Sequence, residues 1–289
     1  MTVFDRLWDN AELTRRKLMA SGAASGFVAG FAASVQPVMA QTMVVTPPTG
    51  QDAGWVDIPT STGTIPAYRA VPTGGKSYPL VLVVHEIFDV HEHIADVCRR
   101  LAALGYCAIA PSLYHRQGDV KQLGTIDEIR PIVAKVADAQ VMGDLDATVD
   151  WAAKAGIADG DKLAITGFCW GGRIVWLYAA HNPKLKAGIA WYGRVVGDKT
   201  EMQPTMPIDV ASKIRAPVLG LYGGQDQGIP VTSLEQMKQA LGADTKSQFK
   251  VYDDAPHAFF ADYRPSYRET AAKDGWQRLQ AWLKANGVA

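Results

Sequence analysis

The sequence predicts an α/β fold, a mainly parallel central sheet with helices on both faces. Two observations carry that prediction. Short apolar runs alternate with helical patterns along most of the chain, as stacked strand–helix units require. One run, "PLVLVVHE" at 79–86, is apolar without alternation, as a strand buried on both faces should be.

The first forty residues read as an address rather than as structure. Arg15 and Arg16 precede a weakly apolar Gly/Ala/Ser stretch, and Val38-Met39-Ala40 offers small residues for signal-peptidase cleavage. Thr14-Arg15-Arg16-Lys17-Leu18-Met19 resembles a twin-arginine signal, which exports folded proteins. An uncleaved anchor is the rival reading, but a spanning helix needs about 20 strongly apolar residues. The expectation is a periplasmic or exported protein that meets the membrane only during export. Residues 41–54, "QTMVVTPPTGQDAG", then read as a polar Pro/Gly linker. Residues 55–289 read as one domain, long enough for a substantial core.

Within that domain "WVDIPT" and "TIPAYRAV" read as an antiparallel opening pair. The run at 79–86 follows, then "EHIADVCRRLAALG", a helix by its apolar spacing with Gly105 as its stop. "YCAIAPS" reads as a strand, 113–125 as a polar stretch and 126–155 as helical. "DKLAITGF" is a strand and "WGGRIVWLYAA" a helix ending before Asn182-Pro183. "AGIAWYG", "PVLGLYGG" and "SQFKVYDDA" complete the strands, with "TSLEQMKQALGA" helical between the last two. "RETAAKDGWQRLQAWLKANG" closes the chain as an amphipathic helix.

Charge excludes some partners. The chain has 29 Lys+Arg and 29 Asp+Glu. Removing the leader, with Arg6, Arg15, Arg16 and Lys17 against Asp5, Asp9 and Glu12, leaves the rest within one charge of neutral. Nucleic acid and anionic membrane both call for a basic patch, so neither is expected. Three cysteines make no disulfide framework; Cys98 and Cys107 read as buried thiols. His85, His91 and His93 near Cys98 do not read as a metal site, because His91 and His93 cannot share a helix face.

In open parallel sheets the working residues gather at the C-terminal strand ends. The reactive side chains that follow apolar runs are Glu86, Cys169, Asp226 and His257, with Tyr192 a weaker member. In "ITGFCWGG" the thiol of Cys169 stands at the centre of a glycine elbow, where a serine is usual. Chain order nucleophile, acid, base on such an elbow is the arrangement of α/β-hydrolases. His257 would take the thiol proton and Asp226 would fix the imidazole tautomer. The macrodipole of the following helix favours an anion at Cys169.

"VVHEIFDV", "APSLYHRQGD", "ITGFCWGGR", "WYG", "GGQDQGIP" and "DDAPHAF" together resemble the dienelactone hydrolase, or carboxymethylenebutenolidase, family across nearly all of residues 55–287. The resemblance implies hydrolysis of a small lactone or activated ester through a cysteinyl acyl-enzyme, without metal or organic cofactor. It implies that Glu86 holds the thiol at rest and accepts its proton when an anionic substrate arrives. It gives Arg116 the substrate carboxylate, and the backbone N–H groups of Ile87 and Trp170 the oxyanion. Tyr192 is expected on the pocket wall, where its hydroxyl could orient a carboxylate. One position departs from the family: Ala261 stands where a second carboxylate-binding arginine is usual, and Arg264 is the candidate substitute. Two rivals remain, a broad-specificity carboxylesterase and a non-catalytic thiol-redox or binding protein on the same fold. A monomer is expected, with a dimer left open.

Overall fold

The computed structural model describes residues 43–289; the expected leader and its cleavage point lie outside the described residues. Among the described residues no helix is long and apolar enough to cross a membrane. Eight strands form one sheet: β1 (Gln51–Thr60), β2 (Gly63–Pro72), β3 (Tyr78–Val84), β4 (Cys107–Pro111), β5 (Ala158–Phe168), β6 (Leu185–Trp191), β7 (Val218–Gly223) and β8 (Gln248–Tyr252). Their order is β1-β2-β4-β3-β5-β6-β7-β8. The β1–β2 and β2–β4 pairs are antiparallel and the other pairs parallel, as the sequence predicts.

Among the described residues six α-helices accompany the sheet: α1 (Glu92–Ala103), α2 (Ile126–Val133), α3 (Asp138–Lys154), α4 (Trp170–His181), α5 (Val231–Leu241) and α6 (Glu269–Ala285). β3 and β5 lie at the centre, and Leu80 to Val84 are fully buried, which accounts for a run with no polar alternation. α2 starts on a reciprocal cap in which Thr125 and Glu128 satisfy each other's backbone N–H groups. Cys98 and Cys107 are buried free thiols, and burial pushes the Cys107 pKa up to about 12.

Of the expected linker at 41–54, residues 44–46 pack against α1 and Asp262, 47–50 are exposed, and Gln51–Gly54 belong to β1. Val44 and Thr46 are buried. The Val44 N–H donates to Asp262 Oδ2 at 3.2 Å and the Thr46 N–H to Asp96 Oδ1 at 2.5 Å. The reason lies in α1, whose polar face is not solvated. Arg100 is buried between Asp96 (2.5 Å) and Asp262 (2.6 Å), and Arg99 donates to the Thr46 carbonyl at 2.8 Å. Buried carboxylates and guanidinium groups need every donor and acceptor matched, and the N-terminal segment supplies the remainder. Arg100→Met, which leaves Asp96 and Asp262 without the guanidinium between them, should cost about 3–5 kcal/mol. A urea unfolding midpoint compared with that of the parent protein checks it.

Candidate active site

The last strand residue of β5 is Phe168, and α4 begins at Trp170, so the chain must turn from strand to helix in one residue. Cys169 makes that turn at φ 55° and ψ −112°, a conformation a non-glycine residue adopts only when its surroundings enforce it. Its N–H donates to the Trp191 carbonyl at 3.0 Å, and its carbonyl accepts from the Gly172 N–H at 3.0 Å. Gly171 is the residue that lets α4 approach β3: a Cβ there would lie 2.4 Å from the Val84 carbonyl oxygen.

β7 and β8 supply the two partners. Asp226, just past β7, accepts from the Gly228 N–H through Oδ1 at 2.8 Å. Its Oδ2 lies 2.6 Å from Nδ1 of His257, five residues past β8. Burial pushes the His257 pKa down, but the Cys169 thiolate and the Asp226 carboxylate push it up to about 10. The imidazole therefore favours its protonated form beside the sulfur. Cys169, Asp226 and His257 share one cavity of about 640 Å³, whose wall also includes Ile87, Trp170 and Tyr192. Tyr192 stands edge-on to His257, ring centroids 5.1 Å apart, and its buried hydroxyl has no hydrogen-bond partner among the described residues.

Three expected site residues lie outside that lining. Glu86 is buried beyond the end of β3, where it accepts from the Tyr263 hydroxyl and lies 3.6 Å from His91 Nε2. Burial favours its neutral form, yet His91, the Arg264 guanidinium and Tyr263 hold its pKa down at about 2. Arg264 stacks over the Phe88 ring at 5.5 Å and does not line the cavity; its charge interacts with Glu86 and Tyr263 and also with Cys169 and Tyr192. Arg116 is ion-paired with Asp144 of α3, reaches Thr60 Oγ1 at 3.4 Å and does not line the cavity. The cause is Asp144 itself, a buried carboxylate that needs a cation.

A depressed carboxylate pKa stabilises the fold above the ordinary value of 4.5, and that stability is lost as pH falls through about 2. Tyr263→Phe removes one donor to Glu86, so its loss of charge, and the acid unfolding midpoint followed by circular dichroism, should move to higher pH.

His85, His91 and His93 are structural in this arrangement. His85 Nδ1 donates to the Glu86 carbonyl at 2.6 Å, its Nε2 accepts from the Leu113 N–H at 3.2 Å, and its ring stacks on Trp170. That fixes the two segments bearing the Ile87 and Trp170 N–H groups. His93 Nδ1 lies 3.0 Å from Asp262 Oδ1. Sequence reasoning missed other residues that line the cavity, among them Arg173, Arg194, Asp198 and Met206. Arg173 was visible in the elbow motif, but the others come from a segment without periodicity.

A family model described as the dienelactone hydrolase family matches residues 65–287. A protein of Methylorubrum extorquens named "Putative carboxymethylenebutenolidase" is 57% identical over 295 residues, covering 100% of each chain. A Bradyrhizobium protein named "Probable 2-oxo-3-(5-oxofuran-2-ylidene)propanoate lactonase" is 30% identical, covering 80% of this chain and 93% of that one. The crystal structure of a "Putative Dienelactone Hydrolase" from Klebsiella pneumoniae aligns with a TM-score of 0.79 at 54% identity, covering 81% of this chain and 98% of that one. The mixed eight-stranded sheet, the full-length relatives and the family match place this chain in the dienelactone hydrolase family, as a carboxylic ester hydrolase on the α/β-hydrolase fold.

Proposed function

We propose that the protein hydrolyses a small lactone or activated carboxylic ester through a cysteinyl acyl-enzyme built on Cys169, His257 and Asp226. The observation that carries this reading is the strained Cys169 turn opening into the same cavity as a protonated His257 held by Asp226. The Cys169 thiolate adds to the carbonyl carbon, and the oxyanion is held by the N–H groups of Trp170 and Ile87. The carbon–oxygen bond of the ester breaks as His257 gives its proton to the leaving oxygen. In a lactone that oxygen stays tethered to the acyl group. His257 then takes a proton from water, the hydroxide adds to the thioester, and the carbon–sulfur bond breaks. The acid departs and the thiolate–imidazolium pair is restored. No metal or organic cofactor enters this cycle.

A second reading, a broad carboxylesterase without lactone preference, is favoured by one observation: Arg116 is ion-paired with Asp144, neither Arg116 nor Arg264 lines the cavity, and Ala261 is a buried alanine. The two readings separate on kcat/KM for a carboxylate-bearing dienelactone against a neutral aryl acetate, each with Cys169→Ala as control. Preference for the dienelactone supports the first reading, and preference for the neutral ester the second. Turnover that survives Cys169→Ala contradicts both. On the leader at 1–40 we also propose that the protein is periplasmic or exported through a twin-arginine-type route. Export that persists after Arg15 and Arg16 are both changed to Lys would contradict the route.

A further inference from the structure

The cations within reach of the reacting sulfur are few. Arg173 is held bidentately by Asp138, both contacts at 2.8 Å, and also donates to the Thr205 carbonyl at 2.5 Å. Arg116 is committed to Asp144, and Arg264, which lies over Phe88 and interacts electrostatically with Glu86, Tyr263 and Cys169, does not line the cavity. Arg194 differs from all three. It lines the cavity with Cys169 and His257, is exposed, and has no ion-pair or hydrogen-bond partner among the described residues.

Its position is set by backbone and stem rather than by a carboxylate. Tyr192 turns the chain out of β6 at φ 39°, and its N–H is tied to the Leu221 carbonyl at 2.8 Å. Two residues on, the Arg194 stem folds over Gly197: a Cβ at Gly197 would lie 2.8 Å from Arg194 Cδ and 3.3 Å from Met206 Cε. Glycine there leaves room for the stem, and the guanidinium is left at the cavity rim with its donors unused. A planar fork of N–H donors without a protein partner matches a carboxylate.

We infer that Arg194 is the specificity-determining residue that recognises a carboxylate carried by the substrate away from the scissile bond. This rests on the hydrolase reading above, in which the acyl carbon sits at Cys169. It moves recognition of the anion from the arginines the family resemblance indicated to one that lines the cavity. Asp198 lines the same cavity with the opposite charge, so the two side chains together set how strongly an anion is preferred.

Alkylation of Cys169 tests this without requiring turnover. Iodoacetate and iodoacetamide differ in the carboxylate, and Cys98 and Cys107 are fully buried, so labelling reports on Cys169. The expected result is that Arg194→Gln lowers the iodoacetate-to-iodoacetamide rate ratio about tenfold, the equivalent of about 1.4 kcal/mol. Arg194→Lys should keep most of the ratio, and Asp198→Asn should raise it. An unchanged ratio in Arg194→Gln, or a selective loss seen in Arg264→Gln instead, would overturn the assignment. Failure of the hydrolase reading looks different: ester turnover would survive Cys169→Ala while the alkylation ratio still reported on Arg194.

Discussion

Cys169→Ala should reduce kcat on an activated ester by about 10⁴-fold or more, with little change in thermal midpoint. The size follows from the unit the residues form. When the nucleophile of such a triad is removed, the base and acid have nothing to activate, and losses on the order of 10⁶ are known for the equivalent change in a serine enzyme. What survives is the residual rate that bound substrate and oxyanion donors supply over water. The fold should tolerate the change because the turn already holds a Cβ at φ 55°, and Ala258 also takes a positive φ, 59°. Cys169→Ser should also lose most activity. A hydroxyl is far harder to ionise than a thiol, and the proposed cycle needs an ionised nucleophile. Steady-state kinetics on an aryl acetate, with circular dichroism melts, check all of this.

Asp226→Asn should cost about 10⁴-fold in kcat, because an amide can donate to Nδ1 and so favour the wrong imidazole tautomer. The pH profile should change with it. His257 carries its proton up to about pH 10, against the pull of burial, through the Cys169 thiolate and Asp226. The protonated form is the one that releases the leaving group, so kcat/KM should fall as pH rises through about 10. Loss of the Asp226 charge removes one upward influence and should move that limb to lower pH. The same sign governs stability. A raised histidine pKa contributes fully below its ordinary value of 6.5, and the contribution is lost as pH rises through about 10. An unmoved alkaline limb in Asp226→Asn would mean that Asp226 does not support the imidazolium.

The strand ends were legible because their signal is local. The apolar runs ending at Val84, Phe168, Gly223 and Tyr252 put Glu86, Cys169, Asp226 and His257 at one edge of the sheet before any coordinate was known. The elbow was legible for the same reason, since Gly171 and Cys169 are neighbours whose constraint is steric. The rest depends on contacts between distant residues. The apolar spacing around Arg99 and Arg100 indicates a helix but not what covers them; they are buried because residues 43–46 and Asp262 close over them. Nothing near Val44 in the sequence announces a partner at Asp262. Arg116 sits in a motif that indicates a substrate contact, but Asp144, 28 residues later, takes its guanidinium. Arg194 lies in a segment with neither helical nor strand periodicity, where sequence pattern assigns no direction to a side chain.

The central claim is that the acyl group passes through Cys169. Intact-mass spectrometry of the protein quenched in acid within milliseconds of mixing with an aryl ester tests it most directly, followed by peptide mapping. The account predicts a transient mass increase equal to the acyl group, mapped to Cys169 and absent in Cys169→Ala. Steady hydrolysis with no cysteine-linked adduct at any time, undiminished in Cys169→Ala, would contradict it.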